Sequence, residues 1–361
     1  MKKLFALVIL CFLSLNVAFA ATSLPKNFSL VYSKNQKGDI KVIGNSALCK
    51  SSKQSPLTYL NGSCQAPGTS EDNNDFYAIY SDIDSNSATS GSTSAKLNLN
   101  SGATISWAGL YWQGRLNSGN SETTNKNAAK QVKLKLPGAL NYATVTADRL
   151  NYIYDSYGFA YQGFKDITSL INKNSPNGDY YLADIATQLG KNAYGAWSIV
   201  IVYSDATVSL KNISVYDGYV GLYKTKDEAN GIYKNITIPL SGFLTPLSGA
   251  VNSKFLVFAG EGDVTLGGEK VEISNKSGTF YELTNAANQS GKQFNSNITD
   301  NGVVITGGMR NPEYANAAGI DIDTYDVSSI MQNGQNNTNI RLTGGDDRYY
   351  PGVFAFSTQM Y

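Results

Sequence analysis

The chain of 361 residues contains no histidine and is poor in charge, since only 16% of its residues are Asp, Glu, Lys or Arg. Without an imidazole the protein cannot use a Ser-His-Asp triad, a Cys-His pair or a histidine-ligated zinc. Any acid or base catalysis would therefore depend on carboxylates, lysine or tyrosine. The charged share also lies below the roughly 25% of an average globular domain, so neutral polar residues must provide much of the water-facing surface.

The N-terminus carries an apolar stretch from Leu4 to Leu15, preceded by Lys2 and Lys3 and followed by Ala18-Phe19-Ala20. A basic start, an apolar centre and small residues at the end predict a secretory signal peptide over residues 1–20, cleaved between Ala20 and Ala21. The alternative is a retained membrane anchor, which needs about 20 apolar residues. We therefore expect export through the Sec pathway and no integral membrane span after cleavage.

Two cysteines, Cys49 and Cys64, would remain in the exported chain, because Cys11 lies inside the predicted signal peptide. An even pair in an exported protein predicts a disulfide, and two free thiols are the alternative. Closing this loop of roughly 15 residues would contribute about 3 kcal/mol in the chain-entropy model.

The net charge gives no reason to expect nucleic acid or an anionic membrane as a partner. Removing Lys2 and Lys3 from the 29 basic residues leaves 27, against 28 acidic ones. A protein so close to neutrality lacks the excess positive charge that attracts phosphate-rich partners.

Short apolar runs rich in β-branched and aromatic residues are separated by clusters of Gly, Asn, Asp and Ser, which predicts many strands joined by turns. The runs Trp197 to Tyr203 and Phe255 to Phe258 are almost continuously apolar. Such runs are typical of strands that are buried on both faces. The sequence therefore predicts an all-β protein with sandwich cores.

An internal resemblance predicts two such cores. Phe164 to Ile171 can be aligned with Thr324 to Met331, and a polar turn and a buried strand follow each copy. In each copy an Asp would cap one helical turn with inward-facing apolar residues, although an eight-residue match can also arise by chance. We expect two tandem jelly-roll-like β-sandwich domains with a small disulfide-containing N-terminal segment. The expected divisions are 21–95 for the N-terminal segment, 96–216 for the first sandwich and 217–361 for the second.

Four segments resemble an uncharacterised family of exported β-domains that often precede repeat arrays in large bacterial surface proteins. The resemblance covers roughly residues 95 to 361 and implies an extracellular, adhesin-like setting without a known activity. The segments are Ser106 to Trp112, Ala196 to Tyr203, Asn212 to Gly218 and Gly345 to Phe356.

Two acidic segments suggest a cation site. Alternate aspartates on an extended segment project to one side, and calcium takes six to eight oxygen ligands. The alternative is that these residues only cap turns, as Glu261-Gly262-Asp263 and Asp217-Gly218 are expected to do. The candidate ligands of a structural calcium ion are Asp321, Asp323, Asp326, Asp346 and Asp347.

Aromatic residues give the second candidate site, since exposed Tyr and Trp can stack on sugars or contact proteins. Trp112 at a strand end, together with Tyr349 and Tyr350, is the predicted ligand contact. Trp107 and Trp197 are expected to fill the sandwich cores.

We interpret the chain as an exported, non-enzymatic binding protein, extracellular or at the cell surface, that contacts a glycan or a protein through loops. One alternative is a secreted carbohydrate-active enzyme that uses an Asp/Glu pair. A further alternative is an outer-membrane β-barrel, whose strands should alternate apolar and polar residues. The sequence contains no Gly-x-Ser-x-Gly elbow, P-loop or Rossmann fingerprint to favour another enzyme class.

Overall fold

The structure is a computed structural model that describes residues 23–361. The predicted signal peptide and its cleavage site between Ala20 and Ala21 lie outside the described residues. Strands dominate the described chain, which has one α-helix, α1 (Glu122–Ala129), and two 3-10 turns, Tyr59–Asn61 and Glu228–Asn230. Within residues 23–361, no helix has the length and hydrophobicity of a membrane span.

The strands are numbered in chain order. They are β1 (Lys26–Ser46), β2 (Leu48–Ser51), β3 (Cys64–Gln65), β4 (Ala78–Tyr80), β5 (Ser92–Leu97), β6 (Thr104–Leu116), β7 (Gln131–Lys135), β8 (Ala143–Thr146), β9 (Arg149–Asp155), β10 (Gly158–Asp166), β11 (Gly178–Ala183), β12 (Gly195–Ser204), β13 (Leu210–Tyr219), β14 (Gly221–Leu222), β15 (Ile232–Tyr233), β16 (Asn235–Ser241), β17 (Ser253–Gly260), β18 (Lys270–Ser274), β19 (Phe280–Glu282), β20 (Ile298–Asp300), β21 (Val303–Val304), β22 (Arg310–Asn311), β23 (Ile320–Asp326), β24 (Asn337–Thr343) and β25 (Tyr350–Gln359).

Eleven strands are hydrogen-bonded in the order β21-β20-β23-β17-β25-β13-β1-β12-β6-β10-β9. They divide at β1 into inner sheet 1, from β1 to β9, and inner sheet 2, from β1 to β21. Outer sheet 1 has the order β22-β5-β11-β7-β8, and outer sheet 2 has the order β16-β24-β18-β19. Each outer sheet covers one inner sheet, so the chain forms two β-sandwiches.

The two inner sheets pack against each other, which places the sandwiches face to face. Val200 on β12 and Leu256 on β17 belong to one buried apolar cluster between the inner sheets. Separate apolar clusters fill each sandwich, with Trp112 and Trp197 in the first and Phe255 in the second. Successive residues of a strand point to opposite faces, and both faces of these strands are buried. This explains the nearly continuous apolar runs seen in the sequence.

Strand β1 joins the two sandwiches. Its first part pairs with β13 as far as Lys37, and its second part pairs with β12 from Gly38 onwards. Gly38 has a φ of +155°, and a Cβ atom there would lie 1.9 Å from the carbonyl oxygen of Tyr203. Only glycine fits at the point where β1 passes from one sheet to the other.

The internal resemblance corresponds to two equivalent turns, one after β10 and one after β23. Asp166 accepts a hydrogen bond from the amide of Thr168, and Asp326 accepts one from the amide of Ser328, each at 2.9 Å. Ile167 and Val327 are fully buried, as expected. Leu170 was expected to face inward but is 47% exposed, whereas the next residue, Ile171, is buried.

The all-β class with sandwich layers is confirmed, and so is the disulfide between Cys49 and Cys64. The sheets run across the expected divisions of the chain: residues 95 and 96 lie within β5, and residues 216 and 217 lie within β13. The expected turn at Asp217 is wrong. This carboxylate is buried and pairs with Lys26 at 2.6 Å and with Arg149, so β13 continues to Tyr219.

We predict that Gly38→Ala lowers the free energy of unfolding by roughly 2–5 kcal/mol, because the new Cβ would collide with the Tyr203 carbonyl in a disfavoured backbone conformation. Urea denaturation measures the change. The matched control is Gly102→Ala, at a φ of +82° with no atom within 4 Å of the new Cβ, which should cost only about 1–2 kcal/mol. Equal losses in the two variants would contradict this role of Gly38.

Candidate functional site

Three carboxyl groups meet where β17 ends and β25 begins. These neighbouring strands are antiparallel and Gly260 pairs with Tyr350, so the residues after β17 lie beside those before β25. Glu261, Asp263 and Asp347 each offer a carboxylate oxygen, and these oxygens all lie within 4.8 Å of one another. All three side chains are buried. We call these three residues the carboxyl cluster.

Backbone hydrogen bonds hold the cluster in place. The amide of Asp263 donates to Asp347 Oδ2 at 2.9 Å, and the amide of Asn73 donates to Asp263 Oδ1 at 2.9 Å. Glu261 has a left-handed φ of +62°, an unusual conformation for a residue other than glycine. This turn redirects the chain after β17 and brings Glu261 and Asp263 to the same side as Asp347.

Arg115 on β6 reaches the cluster from the other sandwich. Its Nη1 atom lies 2.9 Å from Glu261 Oε1, and the two side chains are 0% and 5% exposed. Tyr194, Tyr157 and Tyr350 surround the guanidinium, with ring centroids 5.1, 5.3 and 5.9 Å away. Burial alone would lower the pKa of Arg115, but Glu261, Tyr350 and Asp155 raise it on balance. Arg115 and Glu261 therefore form a charged pair across the junction.

The other two carboxyls of the cluster have raised pKa values. Burial raises the pKa of Asp263 to about 8, and the neighbouring Glu261 adds to this effect. Burial, followed by the charges of Glu261 and Asp263, raises the pKa of Asp347 well above its ordinary value. Raised pKa values favour the protonated, neutral forms of these buried carboxyls, and a bound cation would favour the ionised forms instead.

A pocket of about 100 Å³ opens above the cluster, and we call it the junction pocket. Its walls come from three parts of the chain, with Asn74 from the N-terminal part, Tyr157 and Asn192 from the first sandwich, and Tyr223 and Arg348 from the second. Glu261 and Asp347 form part of its lining, whereas Tyr157 is 52% exposed at its rim. Polar groups thus surround a concave site that all three parts of the chain build.

The five aspartates predicted to bind calcium do not converge, and only Asp347 belongs to the carboxyl cluster. Asp346 is exposed and pairs with Lys224 at 2.8 Å, outside the carboxyl cluster. Asp326 is exposed and accepts a hydrogen bond from the Ser328 amide in the turn after β23. Asp346 and Asp347 both line the junction pocket, but of the five predicted ligands only Asp347 lies in the group of close carboxylate oxygens found within residues 23–361. The five residues therefore do not form one set of ligands.

Asp321 and Asp323 lie side by side on β23, facing the interior of the second sandwich. Asp321 Oδ1 accepts hydrogen bonds from the amides of Asn295 and Asn297 at 2.8 and 3.2 Å, and Asp323 accepts one from Thr299. Burial raises the pKa of Asp323 to about 7, and burial together with Asp323 raises that of Asp321. These hydrogen bonds hold the 295–299 segment against β23.

The three predicted ligand contacts are core residues, which corrects that prediction. Trp112, Tyr349 and Tyr350 are all 0% exposed. The indole nitrogen of Trp112 donates to the carbonyl of Ala129 at 2.9 Å, and the Tyr349 ring stacks on Phe294 at 4.1 Å. Trp112 does not lie at a strand end, because β6 continues to Leu116, and its indole contacts the last residue of α1. Tyr350 still borders the site, because its ring packs against Arg115.

Sequence reasoning missed Arg115 and assigned Glu261 and Asp263 to an ordinary turn. Two acidic residues directly after a fully apolar strand were the available signal. Such positions often lie at the end of a sheet, where binding residues gather. Nothing in the sequence indicates that β6 would bring Arg115 to the same place.

No family model matches the chain, and no curated protein matches it. Among solved structures, PNGase F, a glycosylasparaginase from Flavobacterium meningosepticum, is 11% identical with a TM-score of 0.20, over 88% of this chain and 97% of that one. A peptide-N(4)-(N-acetyl-β-D-glucosaminyl) asparagine amidase is 10% identical with a TM-score of 0.20, over 89% and 97%. A Sputnik virophage protein is 6% identical with a TM-score of 0.18, over 98% and 90%. Scores this low carry no argument about function.

We predict that the stabilising contribution of protonated Asp323 is lost as pH rises from about 4 to about 7. The folded protein keeps this proton up to about pH 7, whereas the unfolded chain loses it near pH 4. The contribution of this proton to the free energy of unfolding is therefore fully present below pH 4 and is lost as pH rises through 7. Urea unfolding across this range, with a chelator present, should give a shallower decline for Asp323→Asn than for the parent. Equally steep declines would show that Asp323 ionises normally in the fold.

Proposed function

We propose that the protein is an exported binding protein that recognises a hydroxyl-rich ligand, such as a glycan, at the junction pocket through a calcium ion held by the carboxyl cluster. The observation that carries this proposal is the spacing of Glu261, Asp263 and Asp347, whose oxygens lie within 4.8 Å of one another beneath a polar pocket. The calcium ion and the ligand are both parts of the proposal.

The spacing suits calcium. Calcium binds oxygen at about 2.3–2.6 Å, so two of its ligands lie at most about 5 Å apart. A fourth oxygen is available nearby, because Asn73 Oδ1 is buried without a hydrogen-bond partner among the described residues. The Asn73 amide nitrogens already contact Asp263 and Glu261. Three or four protein oxygens leave two or more of the six to eight positions for a ligand.

The charge of the cluster is consistent with a cation that replaces protons. Arg115 neutralises Glu261, while the raised pKa values of Asp263 and Asp347 favour their protonated forms. A calcium ion that displaced these two protons would leave the net charge of the site unchanged. The buried site therefore avoids the cost of an uncompensated charge in either state.

The walls of the pocket suit a sugar. Neighbouring hydroxyl groups of a glycan can complete the calcium shell, and Asn74, Asn192 and Arg348 offer further hydrogen bonds. Tyr157 is half exposed and can stack on the apolar face of a sugar ring. The predicted signal peptide and the confirmed disulfide support a location outside the inner membrane. An adhesin-like role at the cell surface follows from this location and from the family resemblance.

A carbohydrate-active enzyme is the second candidate, favoured by the raised pKa values of Asp263 and Asp347, which suit proton donors. The geometry argues against it. Catalytic carboxyls stand about 5–5.5 Å apart in retaining glycosidases and about 6.5–9.5 Å apart in inverting ones. Here one oxygen from each of three carboxyls lies within 4.8 Å of the others, a grouping that fits a shared cation more closely than a pair of carboxyls on either side of a glycosidic bond.

We predict that 10 mM calcium stabilises the protein relative to excess chelator by about 1.4–2.7 kcal/mol, assuming the 10⁻⁴–10⁻³ M affinity of extracellular calcium modules. Denaturant unfolding measures this difference. Asp347→Asn should abolish it, whereas Asp326→Asn, which changes an exposed aspartate outside the cluster, should retain it. Equal stability of the parent in calcium and in chelator would remove calcium from the proposal.

We predict saturable binding on a glycan array in calcium, without release of sugar products. Against the best array ligand, Tyr157→Ala should weaken binding roughly two- to tenfold through lost stacking. The control is Tyr281→Ala, a tyrosine of similar exposure, 44%, on β19. Released sugar would favour the enzyme, and equal binding by both tyrosine variants would place the ligand elsewhere.

A further inference from the structure

Arg310 on β22 is the one arginine in residues 23–361 without a carboxylate within 4 Å. Its side chain is nevertheless buried, since the residue is 3% exposed. The other four arginines each have an acidic partner, in the pairs Arg115–Glu261, Arg149–Asp217, Arg341–Glu272 and Arg348–Asp155. A buried charge without a counter-charge is costly, which makes Arg310 an exception in this protein.

Neutral acceptors hold the Arg310 guanidinium. Its Nε donates to the carbonyl of Ile305 at 2.9 Å, Nη1 donates to the carbonyl of Pro312 at 3.3 Å and to Asn45 Oδ1 at 3.4 Å, and Nη2 donates to the carbonyl of Tyr314. These bonds use four of the five N–H groups of an arginine. Burial lowers the pKa of Arg310 to about 10, so the side chain remains charged at neutral pH. It thus keeps one donor and a full positive charge for an anion.

An apolar cavity of about 320 Å³ lies beside this charge. It is enclosed between β1, the β20–β21 hairpin and β23, and Arg310 forms part of its wall. The apolar lining includes Val42, Ile43, Val304, Ile305, Met309 and Ile322. A volume just above 300 Å³ with a mainly apolar lining and a few polar groups is typical of small-ligand sites.

The cavity continues into an open polar cleft. Arg310 and Lys96 line both spaces, and the cleft adds Tyr181, Tyr314 and two acidic residues, Asp179 and Glu313. Lys96 has only a loose partner, Asp179 at 3.8 Å, and both side chains are more than 40% exposed. Such an exposed pair contributes little and leaves the lysine available. The positive groups therefore lie at the boundary between an apolar space and water.

We propose that this cavity binds a small anionic amphiphile, with its apolar chain against Ile305 and Ile322 and its carboxylate or other anionic group beside Arg310. Glu313 acts on Arg310 only from beyond salt-bridge distance, so a charge-assisted bond from the remaining N–H would give the guanidinium an anionic partner in direct contact. The site shares no residue with the junction pocket, so it stands independently of the proposed glycan binding.

Titration calorimetry of the mature protein with decanoate, below its micelle concentration, tests this inference against decan-1-ol as the neutral counterpart. We expect one decanoate per chain, bound at least tenfold more tightly than decanol. Arg310→Gln should weaken decanoate binding at least tenfold without affecting decanol. Arg341→Gln, which changes an arginine on outer sheet 2, should bind decanoate like the parent.

Since Arg310 also holds three backbone carbonyls, its variant could fail to fold. Ile305→Trp keeps Arg310 and fills the cavity instead, so it should abolish decanoate binding while the circular dichroism spectrum stays that of the parent. Absence of saturable binding to the parent, equal affinity for decanoate and decanol, or full binding by Ile305→Trp would each overturn the inference.

Discussion

The continuous strand β1 is the constraint on which the rest of the structure depends. Because it pairs with β13 and then with β12, it fixes the two inner sheets relative to each other. The sheets then pack face to face, and side chains from β6 come to lie opposite the ends of β17 and β25. Arg115 meets Glu261 only because of this packing. The junction pocket is thus a product of the whole architecture rather than of one loop.

The junction between the sandwiches is unusually polar for a packed interior. Gln162 donates to the carbonyls of Gly218 and Gly352, Tyr350 donates to Asp155, and Arg115 pairs with Glu261. Buried ion pairs contribute little net stability, because desolvation offsets their attraction. A buried charge left without its partner is costly, however. These contacts therefore favour the one arrangement of the two sandwiches in which every pair forms. Arg310 differs from the other arginines of the described chain, since only neutral oxygens contact its guanidinium.

Much of the fold could be predicted from the sequence, because strand and turn signals are local. The buried runs Trp197 to Tyr203 and Phe255 to Phe258, the cysteine pair and the two equivalent turns could all be read from adjacent residues. The candidate site could not be predicted in this way. It depends on contacts between residues far apart in the chain, such as Arg115 with Glu261 and the Asp263 amide with Asp347. Asp347 was predicted as a ligand, whereas its partners were assigned to a turn.

In the proposed site, one cation is bound by the carboxylates of Glu261, Asp263 and Asp347 beneath the junction pocket. Anomalous diffraction from crystals grown with terbium, a probe for calcium sites, above pH 8, tests it most directly. We expect a single strong anomalous peak about 2.3–2.6 Å from one oxygen of each carboxyl, with further ligands on the side of the junction pocket. A cluster without a peak, with terbium bound instead at exposed aspartates such as Asp326 and Asp346, would contradict it.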